Sequence, residues 1–191
     1  MKHNKISRRI VMANQKLNIG IILGSTRKGR VSPQVGEYIL EQARERNHNY
    51  ELIDIKDYQL PLLGESDDQS GVEKWNSKLE TLDAFVFIVC EYNHSMSAAL
   101  KNALDSAREA WYHKAAGIVS YGSGGGIRAA EHLRGVLSEL NIASVRSHVF
   151  FSLFDDFEKF STFKPRDIHK DNLQTLFSQV ETWGQALKTI R

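Results

Sequence analysis

The chain has 191 residues, of which 41% are hydrophobic and 25% are charged, a composition typical of one soluble globular domain. No apolar run approaches the roughly 20 residues that cross a bilayer, so no membrane-spanning segment is predicted. The single cysteine, Cys90, excludes an internal disulfide and any multi-cysteine metal centre. It agrees with a reducing, cytoplasmic location.

Residues 1–16 form a basic segment without any acidic residue; its charges are Lys2, Lys5, Arg8, Arg9 and Lys16. Of the 25 basic residues, 20 remain after these five are removed, against 23 acidic residues, so the rest of the chain carries about −3. We predict that residues 1–16 are a disordered extension and that residues 17–191 form one domain. A nucleic-acid or membrane-binding arm is the alternative, but no basic face elsewhere supports it, so neither partner is expected.

Apolar and amphipathic segments alternate along the rest of the chain. The apolar segments predict buried strands at residues 17–23, 50–55, 84–89, 115–120 and 144–150. The amphipathic segments predict helices at residues 33–46, around 75–82, at about 97–111, around 130–140, and over the positions Leu173, Leu176, Phe177, Val180, Trp183 and Leu187. Residues 151–170 are predicted to be an aromatic, charged connection.

This alternation predicts an α/β fold with a five-stranded parallel sheet covered by helices on both faces. In such sheets, ligands bind beyond the carboxyl ends of the strands, where the strand order reverses. Three unusual loops, at residues 24–32, 90–97 and 120–127, each follow a predicted strand. We therefore expect these loops to meet at one edge of the sheet.

The first loop joins a strand to a helix and contains glycines, hydroxyls and cations, which together favour a phosphate site. Ser25 and Ser32 can donate hydroxyl hydrogens, and Arg27 can add a two-pronged contact. A nucleoside-triphosphate loop is disfavoured because Arg30 and Val31 stand where its lysine and serine or threonine would be. The loop therefore suits a monophosphate best, and a glycine turn with solvated cations is the alternative.

The second and third loops suit a flat ring. Glu91, Tyr92, Asn93 and Ser95 offer donors and acceptors along an edge, although Asn93 and Ser95 can equally be helix caps. The third loop has three consecutive glycines after Ser123, which let backbone amides approach a flat ligand closely. A phosphate at one end and a flat ring at the other match FMN.

Four segments carry a resemblance to the NAD(P)H-dependent FMN reductase family, which includes quinone, chromate and azo-dye reductases. They are residues 23–27 (Leu-Gly-Ser-Thr-Arg), 91–95 (Glu-Tyr-Asn-His-Ser), 100–105 (Leu-Lys-Asn-Ala-Leu-Asp), and 120–122 (Ser-Tyr-Gly) with Gly125 and Gly126. The resemblance extends from about Leu17 to Ile190. It implies a flavodoxin-like three-layer fold with strand order 2-1-3-4-5.

The resemblance also implies the roles of the site residues. Ser25, Arg27 and Ser32 would hold the FMN phosphate, and the other cofactor-binding residues would be Glu91, Tyr92, Asn93, Ser95, Ser120, Tyr121, Gly122 and Gly125. Two departures concern the second loop: Cys90 replaces a proline that is common in the family, and Ser97-Ala98 replaces a proline–glycine pair. Both changes are expected to loosen this loop.

The implied activity is ping-pong hydride transfer from NADPH or NADH, through FMN, to a quinone, a similar small acceptor or free flavin. The flavin carries the chemistry, so no catalytic side chain and no metal are expected. A homodimer or homotetramer is implied by the family. A flavodoxin-type electron carrier without nicotinamide turnover is the main alternative, and a nucleotide kinase is a third. Cys90 is either a redox thiol beside the flavin or a small buried hydrophobe.

Overall fold

A five-stranded parallel sheet forms the centre of the molecule, whose computed structural model describes residues 15–191. The strands are β1 (Asn18–Leu23), β2 (Asn49–Asp54), β3 (Ala84–Cys90), β4 (Lys114–Gly122) and β5 (Ile142–Ser152). They lie in the order β2-β1-β3-β4-β5, which confirms the predicted flavodoxin-like topology. Residues 1–14 of the predicted disordered extension (residues 1–16) lie outside the described residues.

Within residues 15–191, five α-helices cover the two faces of the sheet. They are α1 (Ser32–Gln42), α2 (Ser70–Glu80), α3 (Ala98–Asp105), α4 (Ile127–Glu139) and α5 (Ile168–Leu187). Helices α1 and α5 pack on one face, and α2, α3 and α4 pack on the other. Because both faces are covered, β3 is buried along its whole length. Among the helices of residues 15–191, none combines the length and the apolar composition that a membrane span requires.

The predicted helix over residues 97–111 is wrong in its second half, because α3 ends at Asp105. The Ser106 hydroxyl donates to the Asn102 carbonyl, and the chain then turns into a short 3₁₀ segment, Glu109–Trp111. This turn brings the fully buried Trp111 ring against Trp75 and Phe85, and its Nε1 donates to the Leu104 carbonyl. The apolar spacing that indicated a helix therefore reflects aromatic packing instead.

Three further expectations need correction. The first predicted helix, residues 33–46, ends at Gln42, and the turns that follow let Arg46 reach Glu181 on α5. The connection at residues 151–170 is not irregular throughout, because β5 continues to Ser152 and a small hairpin, β6 (Phe157–Glu158) and β7 (Thr162–Phe163), follows it. In α5 the Trp183 side chain is not buried with its apolar neighbours but is 48% exposed.

Candidate functional site

The first loop connects β1 to α1 and is held tightly against the sheet. The amide of Gly24 donates to the Ile88 carbonyl on β3, and a Cβ at position 24 would lie 2.6 Å from that oxygen. Arg30 pairs with Asp54 at the end of β2 and also donates to the Ser25 carbonyl. The Arg30 side chain is therefore engaged in contacts that hold the loop in place. This agrees with the prediction that Arg30 does not act as the phosphate-binding lysine of a nucleoside-triphosphate loop.

Two hydroxyl groups of this loop are buried without a hydrogen-bond partner. Ser25 is 1% exposed and Ser32 is 0% exposed, and neither Oγ has a partner at hydrogen-bond geometry among the described residues, although the Cys90 thiol lies beside Ser25 and the Tyr121 phenol lies beside Ser32. Buried polar groups are normally paired, so an unpaired hydroxyl indicates a missing partner. Helix α1 begins beside them with no side-chain cap and no acidic residue in its first turn. Hydroxyls and free helix amides are the donors that a phosphate requires.

Arg27 lies at the exposed side of the same loop, where its Nε donates to the Tyr92 hydroxyl at 3.0 Å. This contact joins the first loop to the second. A second tie comes from Ser97, whose hydroxyl donates to the Gly24 carbonyl and accepts from the amide of Leu100 as the cap of α3. Ser97, where the resemblance predicted a looser second loop, thus links the second loop to the first instead.

The second loop is a tight turn after β3. Tyr92 and Ser95 exchange both backbone hydrogen bonds at 2.9 Å, and the two residues between them, Asn93 and His94, have φ angles of 47° and 69°. Asparagine and histidine are among the residues that tolerate this left-handed conformation best. The left-handed backbone of this turn therefore explains the asparagine at position 93. Its side chain is exposed at the surface of the loop.

Glu91 points from the second loop to the start of α4. Its carboxylate pairs with Arg128 and accepts from the amide of Ala129. Burial raises the pKa of this carboxyl, but the hydrogen bonds from Arg128 and Ala129 outweigh that effect and the pKa lies below its ordinary value. Arg128 also donates to Nε2 of His94 at 3.0 Å, so this contact joins the second loop to the start of α4 as well.

The predicted third loop, residues 120–127, begins later than expected, because β4 continues to Gly122 and so includes Ser120 and Tyr121. The buried Ser120 hydroxyl donates to the Gly125 carbonyl at 2.6 Å and lies 2.8 Å from Nε2 of His148. Tyr121 is also buried, and burial raises the pKa of its phenol. Gly125 and Gly126 both have φ of 72°, and a Cβ on Gly126 would lie 2.8 Å from the Tyr121 backbone.

Cys90 closes β3 between these loops and is 3% exposed. Burial raises the pKa of its thiol, although the nearby hydroxyls of Ser25, Tyr121 and Tyr92 oppose that effect. A protonated, buried thiol is a weak nucleophile, which favours the buried-hydrophobe interpretation. Among residues 15–191, no three histidine, cysteine or acidic side chains are grouped so that they could hold a metal ion.

All three loops thus lie at the carboxyl edge of β1, β3 and β4, as the order of elements predicts. The sequence missed three contributors: Asp54, which pairs with Arg30; Arg128, which pairs with Glu91; and His148, which lies beside Ser120. Only the position of Asp54 could have been inferred from the sequence, because Asp54 ends the strand that lies beside β1. The residues present fit FMN, since the unpaired hydroxyls match its phosphate and the loops beside them match its ring.

The strand order and the two helical layers define a flavodoxin-like fold, with the three loops at one edge of its sheet. Residues 17–156 match the family model of NADPH-dependent FMN reductase. The chain therefore belongs to the NADPH-dependent FMN reductase family, which confirms the predicted resemblance and the predicted class, a flavin-dependent NAD(P)H oxidoreductase. The assignment of individual site residues stays a prediction.

Relatives and solved structures agree with this family. The chain is 30% identical over 145 residues to the NAD(P)H-dependent FMN reductase LOT6 of Saccharomyces cerevisiae, covering 66% of this chain and 76% of the relative. It is 31% identical over 161 residues to the NAD(P)H:quinone oxidoreductase of Solanum tuberosum, covering 78% and 82%. Its fold is similar to that of FerB, a flavoenzyme NAD(P)H:(acceptor) oxidoreductase from Paracoccus denitrificans, with TM-score 0.73, 19% identity, and coverage of 89% and 98%.

Proposed function

We propose that this protein reduces a quinone or a similar small acceptor, or free flavin, with electrons from NADPH or NADH, by binding the two substrates in turn at one FMN site. The observation that carries the proposal is the pair of buried, unpaired hydroxyls of Ser25 and Ser32 beside the uncapped start of α1. The names of the FMN reductase and quinone oxidoreductase relatives support the choice of acceptor.

The first loop would hold the phosphate end of FMN. Ser25 and Ser32 supply hydroxyl donors, and the amides at the start of α1 add partial positive charge. Arg27 adds a guanidinium at the exposed side, where it can contact the phosphate bidentately.

The second and third loops would hold the ring. Tyr92, Asn93 and Ser95 offer polar groups on one side, and the backbone from Ser120 to Gly125 lies on the other. When bound, FMN supplies the hydride chemistry, accepting a hydride from the nicotinamide and passing electrons to the acceptor. The chain itself binds the cofactor, orients its ring and leaves room for one substrate at a time.

A homodimer or homotetramer is part of the same proposal. Three phenylalanines near the third loop are exposed, Phe150 at 44%, Phe154 at 66% and Phe160 at 58%, and the rings of Phe154 and Phe160 are in edge contact. Exposed aromatic side chains grouped in this way favour a subunit contact beside the site. Light scattering on the purified protein measures the oligomeric state directly. The proposed cytoplasmic location rests on the single cysteine.

The decisive experiment is an anaerobic visible spectrum of the purified protein with FMN, before and after NADPH and then after a quinone. We expect loss of the visible absorption band of oxidised flavin with NADPH and its return with the quinone. The variant with both Ser25→Ala and Ser32→Ala should bind FMN much more weakly, whereas the exposed Ser138→Ala on α4 should bind it normally. Bound flavin that NADPH does not reduce would favour the electron carrier, and no FMN binding would refute the proposal.

A further inference from the structure

His148 reaches the third loop because β5 carries two extra residues. Ala116 on β4 pairs with Ser144, but two positions later Ile118 pairs with His148 instead of residue 146. The shift by two residues preserves the face on which each side chain lies. Because His148 lies opposite Ile118, it is the diagonal neighbour of Ser120 on the same face of the sheet.

The hydrogen bonds around Ser120 determine which atom carries each proton. A carbonyl oxygen only accepts, so the single Ser120 hydroxyl proton goes to the Gly125 carbonyl, 2.6 Å away. The Ser120 oxygen must then accept from Nε2–H of His148 at 2.8 Å. Burial, reinforced by Arg134, lowers the pKa of His148 to about 4, although Glu131 opposes this. The imidazole is therefore neutral near pH 7, with its proton on Nε2.

These two bonds fix the direction of one peptide group in the third loop. With the Gly125 carbonyl turned toward Ser120, the amide N–H of Gly126, in the same trans peptide unit, points the opposite way. Both residues are glycines with φ of 72°, so the local backbone preference does not by itself choose this orientation. A side-chain hydrogen bond from a fixed position on the sheet makes the choice.

We propose that His148 is a positioning residue for the flavin site: it holds the Ser120 hydroxyl toward Gly125 and so sets which polar group of the Gly125–Gly126 peptide faces the ring. The inference rests on the proposed function, since it gives the third loop the role of contacting FMN. His148 need not touch the cofactor, because its effect passes through Ser120.

Two substitutions of the same residue test this role. His148→Phe keeps an aromatic ring but removes the donor, and His148→Gln supplies an amide nitrogen near the position of Nε2. We expect the Kd for FMN, measured by fluorescence quenching, to rise roughly tenfold in His148→Phe, the magnitude of one lost hydrogen bond, with an altered flavin absorption band. His148→Gln should restore both the Kd and the band. If His148→Phe does not fold, His148→Asn replaces it, because its shorter amide does not reach Ser120.

A double variant separates positioning from general packing. In a Ser120→Ala background, His148→Phe should leave the Kd for FMN about unchanged, because the residue through which it acts is gone. Equal FMN affinity and spectra in the wild type and His148→Phe would overturn the inference, as would an additive loss in the double variant. Failure of the wild type to bind FMN would instead refute the proposed function, and the positioning role with it.

Discussion

The first and third loops lie at the same edge of the sheet but differ in how their polar groups are satisfied. In the first loop, the hydroxyls of Ser25 and Ser32 are buried and unpaired. In the third, the Ser120 hydroxyl has partners in Gly125 and His148, and the start of α4 is covered by Glu91. The hydroxyls of the first loop thus lack a protein partner, whereas the Ser120 hydroxyl beside the third loop has two. We infer that the first mainly supplies affinity and the third mainly orients the ring.

The largest expected difference between the loops concerns two glycines with nearly equal φ. Gly126 has φ of 72° and a Cβ there would lie 2.8 Å from the Tyr121 backbone, whereas Gly29 has φ of 70° with no atom within 4 Å of its Cβ position. Gly29→Ala should cost about 1 kcal/mol of stability from the backbone conformation alone. Gly126→Ala adds a collision with backbone, so we expect a loss of roughly 3 kcal/mol or more.

Urea unfolding of both variants without FMN measures this difference in the free energy of unfolding. Equal destabilisation by Gly126→Ala and Gly29→Ala would mean that the third loop adjusts to a side chain as easily as the first. The proposed rigidity of the third loop would then be wrong.

Arg27 tests the contribution of the first loop to affinity. Its guanidinium is exposed and contacts the Tyr92 hydroxyl, so removing it should scarcely change folding stability. A hydrogen bond to a charged group contributes about 1.5–3 kcal/mol, so Arg27→Ala should raise the Kd for FMN by roughly 10- to 100-fold. Arg44→Ala is the matched control, because Arg44 is an exposed arginine paired with Glu41 after the end of α1. Unchanged FMN affinity in Arg27→Ala would reject its assignment to the phosphate.

Serine-to-alanine substitutions in the two loops should have opposite effects on the protein without FMN. Ser120→Ala leaves the Gly125 carbonyl and the His148 ring without their partner, which should cost about 1–3 kcal/mol of stability. Ser25→Ala removes a buried hydroxyl that has no partner, so stability should stay the same or rise slightly. Thermal unfolding of the two variants, with and without FMN, distinguishes them. A comparable loss of stability from Ser25→Ala would show that its hydroxyl already has a partner.

The positions of the strands and of the first loop could be predicted from the sequence, but the burial of its hydroxyls could not. The strands and the shared edge follow from apolar runs and right-handed crossovers, so β1 and β3 were predicted to within a residue or two. Ser25 and Ser32 lie within a recognisable strand–loop–helix pattern. Their burial without a partner, however, depends on tertiary packing that no local pattern reports.

The internal partners could not be predicted because they are distant in sequence. Glu91 and Arg128 are 37 residues apart, and their pairing depends on how β3 and α4 are placed. The bond between Ser120 and His148 depends on the two extra residues in β5, which shift the register without changing the apolar pattern. Aromatic packing misled the prediction in a similar way at Trp111, where apolar spacing suggested a helix that ends six residues earlier.

The smallest predicted effect is a pH dependence that belongs to His148. Its pKa is lowered to about 4 in the folded protein, because burial and Arg134 outweigh Glu131, whereas the pKa of an unfolded histidine is about 6.5. Between these values the unfolded chain binds one more proton than the folded one. The free energy of unfolding therefore decreases as the pH falls from about 6.5 to about 4.

Acidic groups titrate in the same range, so the informative quantity is the difference between the wild type and His148→Gln. We expect the wild type to lose more stability than His148→Gln between pH 7.5 and pH 6, by on the order of 1 kcal/mol, and further below that pH. Urea unfolding at several pH values measures both curves. Parallel curves would mean that His148 titrates normally in the folded state, and the neutral ring that holds Ser120 in the third loop would lose its physical basis.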